Sequence, residues 1–324
     1  MASLSPLQRL DDGSAQLERV EQALTASVAT DDPFLTEIAS HLIVAGGKRL
    51  RPAFVIAAGT CLQDEPFVTD DLVQAGVSVE LVHLGSLYHD DVIDEADLRR
   101  TVETVNHRWG NLTAILAGDY LLARASEIAA SLGTEVAGLL AATIARLCEG
   151  QVVELQRIYD IGRTEEQYFA AIEGKTAALY ATSCRIGGLV SGLDRDLIDR
   201  LTEFGRLYGM AFQVIDDVLD ITATEEQIGK PPNDVIEGVY TLPVIRHLAA
   251  EPHGVVAGLL GQEITVEDRD KVRSIVAASD GLTSSVATAD EYCRRALDLV
   301  DDLPPSAGAE GLRDATRNLH RSLP

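Results

Sequence analysis

A chain of 324 residues that is 46% hydrophobic and 5% aromatic is long enough for one large domain or two ordinary ones. Its net charge of −24 and pI near 4.5 exclude a basic nucleic-acid-binding face. They leave an anionic substrate open, since a few local cations or a metal suffice to bind one. Cys61, Cys148, Cys184 and Cys293 are scattered without a C-x-x-C pair, so buried reduced thiols are expected rather than zinc or disulfides. No secretory signal is visible, nor any apolar run of about 18 residues, so the cytosol is expected and no transmembrane helix.

Residues 1–32 are polar with a helical period at Leu10, Leu17, Val20 and Leu24, and are expected as a peripheral N-terminal helix. Pro33 opens a helix to about Ala45. In Gly46-Gly47-Lys48-Arg49-Leu50-Arg51-Pro52, two glycines stop that helix and Pro52 suits the first turn of the next. Three cations therefore meet at a helix junction whose free N–H groups also suit an anion. Alone, the stretch reads equally as a solvated basic turn. Residues 53–63 continue as a helix.

From Thr69 to about Glu95 one long helix is expected, containing Glu80, His83 and His89 and ending in Asp90-Asp91-Val92-Ile93-Asp94. His83 lies on the stripe that leads to the aspartates, about 10 Å back along the axis. Residues i, i+3 and i+4 share a helical face, so the three carboxylates crowd and repel. A hard divalent cation is the economical reason to tolerate them, and Mg2+ usually takes one or two carboxylates plus substrate phosphates. Arg99 and Arg100 follow. Thr101–Asn111, with the only tryptophan, Trp109, reads as irregular.

Helices are then expected over 112–131, over 134–160 with Glu149, Gln151 and Glu154 near one face, and over Glu165–Leu193 with Lys175-Thr176 in the middle. Residues 195–222 form a helix carrying a second cluster, Asp216-Asp217-Val218-Leu219-Asp220, 126 residues after the first, with Gln213 before it. Thr224–Asp234, containing Lys230, reads as a flexible loop. A helix from Thr241 to about Ala250 and two or three amphipathic helices complete the chain. No alternating strand pattern is found. The expected fold is all-α: one domain over 1–324, a bundle of about a dozen helices around a central cavity.

One Asp-Asp-x-x-Asp alone would be a solvated helix end. Two copies on apolar helices, with Lys48, Arg51, Arg99, Arg100, Lys175 and Lys230 around them, are what a diphosphate with bridging metals requires. A charged mouth over an apolar shaft suits a diphosphate with a hydrocarbon tail, and the metals would make the diphosphate a good leaving group.

These motifs resemble those of the trans-isoprenyl diphosphate synthases, the all-α polyprenyl synthetase family, from about Phe34 to Leu248. The matching stretches are Gly46–Pro52, His83 and His89, Asp90–Asp94 with Arg99-Arg100, Gly118-Asp119-Tyr120-Leu121, Gly174-Lys175-Thr176 and Phe212–Asp220. The resemblance implies head-to-tail condensation of isopentenyl diphosphate with an allylic diphosphate, giving a linear trans product. It implies that Lys48, Arg51, His83 and Arg100 hold isopentenyl diphosphate. Arg99, Lys175, Thr176, Gln213 and Lys230 would contact the allylic diphosphate. Asp90, Asp94 and Asp216 would be direct Mg2+ ligands, with Asp91, Asp217 and Asp220 as ligands or holders of metal-bound water. Three Mg2+ per site, replaceable by Mn2+, and a homodimer that hands its product to membrane-bound enzymes are further implications. No nucleic acid is expected as a partner.

Two departures stand out. The family's Arg-Arg-Gly-x-Pro-Thr is Arg99-Arg100-Thr101-Val102-Glu103-Thr104 here, and Val239 replaces a lysine after the second cluster. Ser86 and Gly85, four and five residues before Asp90, are small where the family uses aromatics to stop short chains. Val82, eight before it, is modest. These residues imply an open shaft and a product of about C30 or longer, the ruler being a rise of about 1.5 Å per residue. A shorter-chain synthase, a class I terpene cyclase and a subunit of a two-component synthase are the alternatives. The second Asp-Asp-x-x-Asp and the intact clusters speak against the last two.

Overall fold

The computed structural model describes residues 4–228, 232–261 and 264–323. After a 3-10 turn at Pro6–Arg9 come α1 (Gly13–Ser27), α2 (Pro33–Val44), α3 (Leu50–Gly59) and the long α4 (Asp70–Ile93). A hairpin, β1 (Leu98–Arg99) and β2 (Val102–Glu103), and α5 (Val105–Trp109) lead into α6 (Asn111–Ser131) and α7 (Thr134–Leu155). Then follow α8 (Glu165–Ile172), a π-helical turn at Glu173–Ala177, α9 (Ala178–Val190) and α10 (Arg195–Thr222). The chain closes with α11 (Glu225–Ile228), α12 (Leu242–Ala250), α13 (Val255–Leu259), α14 (Val266–Ala277), α15 (Asp280–Asp298) and α16 (Ala307–His320). The all-α expectation holds.

Local chemistry sets the helix starts. Asp32 caps α2, its carboxylate accepting from the Phe34 and Leu35 amides at 2.8 and 3.2 Å, with Pro33 in the first turn. Thr69 caps α4 through the Leu72 amide, and Asp70 and Asp71 meet the positive pole of the same helix. Thr164 and Gln167 close a capping box on α8.

The core is built where α4 packs on α6 and α3, α3 on α9, and α9 on α10. Five aromatic rings bind α3, α9 and α10 together: Phe54 lies 4.4 Å from Tyr208, and Tyr180, Phe204 and Phe212 complete the cluster. The N-terminal segment packs on this body. Leu7, Leu10, Val20 and Leu24 are all buried in the main core, so the helix expected at the periphery is integral to it. A smaller cluster of Ile221, Val235, Tyr240, Val244, Leu248, Val256, Val272 and Val276 lies under the segment that follows α10.

Several local expectations are corrected. A two-residue hairpin pairs Leu98 with Glu103 and Arg99 with Val102 where no strand was expected, because strands this short carry no alternation to detect. Thr101–Asn111 is ordered as β2, α5 and the start of α6. The Glu165–Leu193 helix is interrupted by the π turn, and the loop after α10 begins with α11. Cys148 is exposed, whereas Cys61, Cys184 and Cys293 are buried. One expectation is not overturned: α7 is long and apolar enough to cross a membrane by length and composition alone, with a window of mean hydropathy 1.4, but it packs against α6, α8, α9 and the π turn. Glu135, Arg146, Glu149 and Glu154 interrupt its apolar runs, which hid that average in the sequence.

Candidate active site

Both aspartate clusters end long helices. Asp90 and Asp91 close α4 with Asp94 as its C-cap, and Asp216, Asp217 and Asp220 lie in the last two turns of α10. Neither helix has a basic residue in its last turn. Carboxylates there face the negative pole of the helix, which disfavours them. Burial pushes the Asp90 carboxyl up to about 6, against the favourable field of Lys175 and with that of Asp94 adding to the rise. Asp94 and Asp91 are raised for the same leading reason. The cluster therefore holds charge that calls for a cation.

The partners come from α7 and the π turn. Gly150 and Gly174 let these backbones touch: a Cβ on Gly150 would lie 2.7 Å from the Lys175 nitrogen, and one on Gly174 2.7 Å from the Arg146 oxygen. That approach, together with the widened turn, a form often found at functional sites, brings Lys175 against Glu154, with which it forms an ion pair. Lys175 also acts on Asp90 and Asp94, while Glu154 acts on Asp90, Asp94 and Asp217. Glu154 thus stands in the field of both clusters. Sequence reading placed it only on a helix face; its i+4 spacing from Gly150, where α7 meets the π turn, is the available signal.

At the second cluster Asp216 is exposed and Asp217 and Asp220 are buried. Tyr168 donates to Asp217 Oδ2 at 2.5 Å and Gln213 Nε2 to Oδ1 at 2.9 Å, while Thr176 donates to Gln213 Oε1 at 2.8 Å. Burial raises Asp217 to about 7 in spite of those two donors. Asp220 lies in the field of Arg273, which donates to the Asp220 and Ala223 carbonyls at the end of α10.

The basic residues gather beside the first cluster. Arg99 donates to Asp91 at 2.5 Å. Arg100 is at the turn of the hairpin, where it and Thr101 have φ of 53° and 68°. This is the two-residue turn that wants left-handed residues at both positions. That conformation sends Arg100 back to the α2–α3 junction, donating to the Leu42 and Gly46 carbonyls. Arg51 lies 4.9 Å from the Tyr180 ring, and its buried Nε has no hydrogen-bond partner among the described residues. His83 is driven well below its ordinary pKa by burial and by Arg51, Arg100, Arg99 and Arg49. The imidazole is thus held neutral in the field of four guanidinium groups, of which Arg49 and Arg99 are already paired with carboxylates. Lys48 is exposed in the same junction. Arg49 instead is buried, bonded to Glu21, Glu80 and the Ile43 carbonyl. Its role as an internal strut, and that of Glu21 on α1, were not read from the sequence.

Of the small residues before Asp90, Val82 is fully buried, and Ser86 donates to the His83 carbonyl at 2.8 Å. A Cβ on Gly85 would lie 3.1 Å from the Gly118 oxygen and from Leu122 Cγ, so Gly85 is where α4 meets α6. Lys230 lies outside the described residues.

The donor set suits magnesium. The groups are hard carboxylate oxygens. Among the described residues no three His, Cys, Asp or Glu side chains are grouped closely enough to hold a metal ion by themselves, so substrate phosphates would have to complete any coordination. The sequence model of the family described as polyprenyl synthetase matches residues 32–278.

The chain belongs to the polyprenyl synthetase family.

Among its relatives, the heptaprenyl diphosphate synthase component 2 of Geobacillus stearothermophilus is 40% identical over 93% of this chain and 94% of the relative. The nonaprenyl diphosphate synthase of Mycobacterium tuberculosis is 36% identical over 94% and 93%. A crystal structure of a polyprenyl synthase from Caulobacter crescentus, complexed with calcium and isoprenyl diphosphate, superposes with a TM-score of 0.90 at 30% identity over 98% of each chain. The polyprenyl synthetase fold of this chain is thus matched over nearly its full length.

Proposed function

We propose that the protein condenses isopentenyl diphosphate with an allylic diphosphate, head to tail, to make a linear trans-polyprenyl diphosphate of about C30 or longer, as the small Ser86 four residues (about 6 Å) before Asp90 allows. The observation that carries this reading is the pair of aspartate clusters at the negative ends of α4 and α10, with Glu154 and Lys175 in the field of the first and Glu154 in that of the second. Relatives named heptaprenyl and nonaprenyl diphosphate synthase support the long product.

Asp90, Asp94 and Asp216 would hold Mg2+, which when bound neutralises the charge that develops on the leaving diphosphate. Lys48, Arg51, His83 and Arg100 hold isopentenyl diphosphate. Arg99, Lys175, Thr176 and Gln213 hold the allylic diphosphate, with Lys230 as a further cation. Each of these cations except the two exposed or undescribed lysines has a partner within the chain. Arg99 is on Asp91, Lys175 on Glu154, Arg100 on two carbonyls and Arg51 on the Tyr180 ring. Substrate binding is an exchange of those partners for phosphate oxygens. The apolar interior excludes water from the carbocation, and the departing diphosphate takes the proton.

A homodimer is supported by exposed apolar side chains on α6 and α7: Leu112, Leu116 and Val152 are 80, 64 and 50% exposed, and a second copy would bury them. Sedimentation of Leu116→Glu against the wild type tests it.

The test of function is incubation with Mg2+, labelled isopentenyl diphosphate and farnesyl or geranylgeranyl diphosphate, followed by chromatography. Linear chains of about C30 or longer, absent with EDTA and restored by Mn2+, are expected. A C20 product would make this a short-chain synthase. Cyclised hydrocarbon would point to a cyclase, and turnover only with a second protein to a two-component enzyme, as the name of one relative suggests.

A further inference from the structure

Asp217 is 2% exposed, and each of its carboxylate oxygens receives a donor from a neighbouring side chain. The Gln213 amide has one usable orientation. With Thr176 donating to Oε1, Nε2 is the only end left to turn toward Asp217. The other donor is the phenol of Tyr168, on α8 and 1% exposed. Its ring is held between Phe169, 5.2 Å away edge to face, and the guanidinium of Arg163 at 5.6 Å. Arg163 is itself buried, donating one N–H to the Tyr240 carbonyl. A cation over the ring draws electron density from the phenol and strengthens its O–H as a donor.

Three other buried tyrosines make the contrast. Tyr88 donates to the Ile38 carbonyl at 2.7 Å, and the hydroxyls of Tyr180 and Tyr208 have no hydrogen-bond partner among the described residues. Among these four, only Tyr168 points its hydroxyl at a carboxylate of the site.

Resting on the prenyl-transfer reading above, we propose that Tyr168 is a positioning residue for the second aspartate cluster. Its phenol and Gln213 bind Asp217 from within as a fixed support, so that the exposed Asp216 presents its carboxylate to the cation that accompanies the allylic diphosphate. Asp217 then acts on the cation through the geometry it imposes on the end of α10, and Thr176 belongs to the same chain of donors.

The experiment compares Tyr168→Phe with Tyr208→Phe, which removes a hydroxyl that has no hydrogen-bond partner among the described residues. Mn2+ binding in the presence of inorganic diphosphate is read by electron paramagnetic resonance, without turnover. Steady-state KM is then measured for each substrate separately. Tyr168→Phe should weaken Mn2+ binding by about tenfold, the lower end of what loss of a ligand-orienting hydrogen bond does. It should raise KM for the allylic diphosphate and leave KM for isopentenyl diphosphate unchanged. Tyr208→Phe should match the wild type in all three. In the double variant with Asp217→Asn the two losses should fail to add, since the substitutions break one interaction. If Tyr168→Phe does not fold, Arg163→Met keeps the phenol but strips its cation, and should weaken Mn2+ binding in the same direction. Wild-type Mn2+ affinity in the folded variant, or equal rises in both KM values, would overturn the proposal. A wild type that makes no polyprenyl product would sink the functional reading instead, while the Mn2+ comparison still decides the role of Tyr168.

Discussion

The Arg49 guanidinium donates to the Glu80 carboxylate at 3.0 Å, and both side chains are 2% exposed. Glu21 from α1 holds the other edge of the same guanidinium at 2.6 and 3.1 Å. This buried pair lies at the α2–α3 junction, where Arg49 falls between Lys48 and Arg51 in the chain. Four bonds hold the Arg49 guanidinium inside the protein, so it shapes the junction.

Breaking the pair from one side leaves a buried charge uncompensated. Arg49→Met should cost about 3–5 kcal/mol in urea melts. The double variant Arg49→Met, Glu80→Leu should recover most of that loss. Equal losses in the single and double variants would refute the pairing.

Thr101 is β-branched at a φ of 68°, a conformation that costs of order 1–3 kcal/mol for such residues. Thr101→Gly should therefore raise stability by roughly 1 kcal/mol in denaturant unfolding, since the relief is partly offset by the extra freedom glycine brings to the unfolded chain. A loss of stability would mean that the hairpin turn is not held in this form.

The raised Asp90 carboxyl predicts a pH signature. Its folded value of about 6 lies above the ordinary aspartate value of 3.8, so the folded state binds the proton more tightly. As pH climbs from about 4 to about 6 the unfolded chain releases that proton first, and stability falls. The melting temperature of the metal-free wild type, relative to Asp90→Asn, should decline over that window and level off above it. The opposite slope would show that Asp90 is stabilised as an anion without metal.

Lys175 is paired with Glu154 before any substrate arrives. Glu154→Gln should release it and lower KM for the allylic diphosphate by about threefold, the scale of a partly exposed pair worth somewhat under 1 kcal/mol. The isopentenyl diphosphate KM should not move. A raised allylic KM would show that Glu154 itself helps bind the substrate.

Product length separates the two small residues before Asp90. Ser86→Phe should shorten the product, read by chromatography of the dephosphorylated chains. Gly85→Phe meets the Gly118 carbonyl and Leu122 at 3.1 Å, so overpacking at the α4–α6 contact should destabilise it by about 1–3 kcal/mol. An unchanged product in Ser86→Phe would place the chain's path elsewhere.

The long helices were legible because burial writes a 3.6-residue period over many turns. The clusters were legible because three carboxylates on one turn have few innocent explanations. The hairpin was not, since two-residue strands leave no periodicity and the turn residues Arg100 and Thr101 are not those that advertise left-handed backbone. Nor was the π turn at Glu173–Ala177, because α9 after it is buried nearly all round and leaves the one-residue shift of phase unmarked. Glu154, Tyr168 and Glu21 share one cause of invisibility. Each acts through a neighbour distant in sequence, Lys175, Asp217 or Arg49, and only packing of the helices brings those pairs together.

The placement of both carboxylate clusters at the negative poles of α4 and α10 has a consequence for the order of events. A bare diphosphate approaching these helix ends meets charge of its own sign, in a molecule that already carries −24. On the prenyl-transfer reading proposed above, only a diphosphate that arrives with its cations, or finds them waiting, would be welcome there. The protein would then answer to two concentrations at once, and a fall in free magnesium should throttle it even with both isoprenoid substrates in plenty.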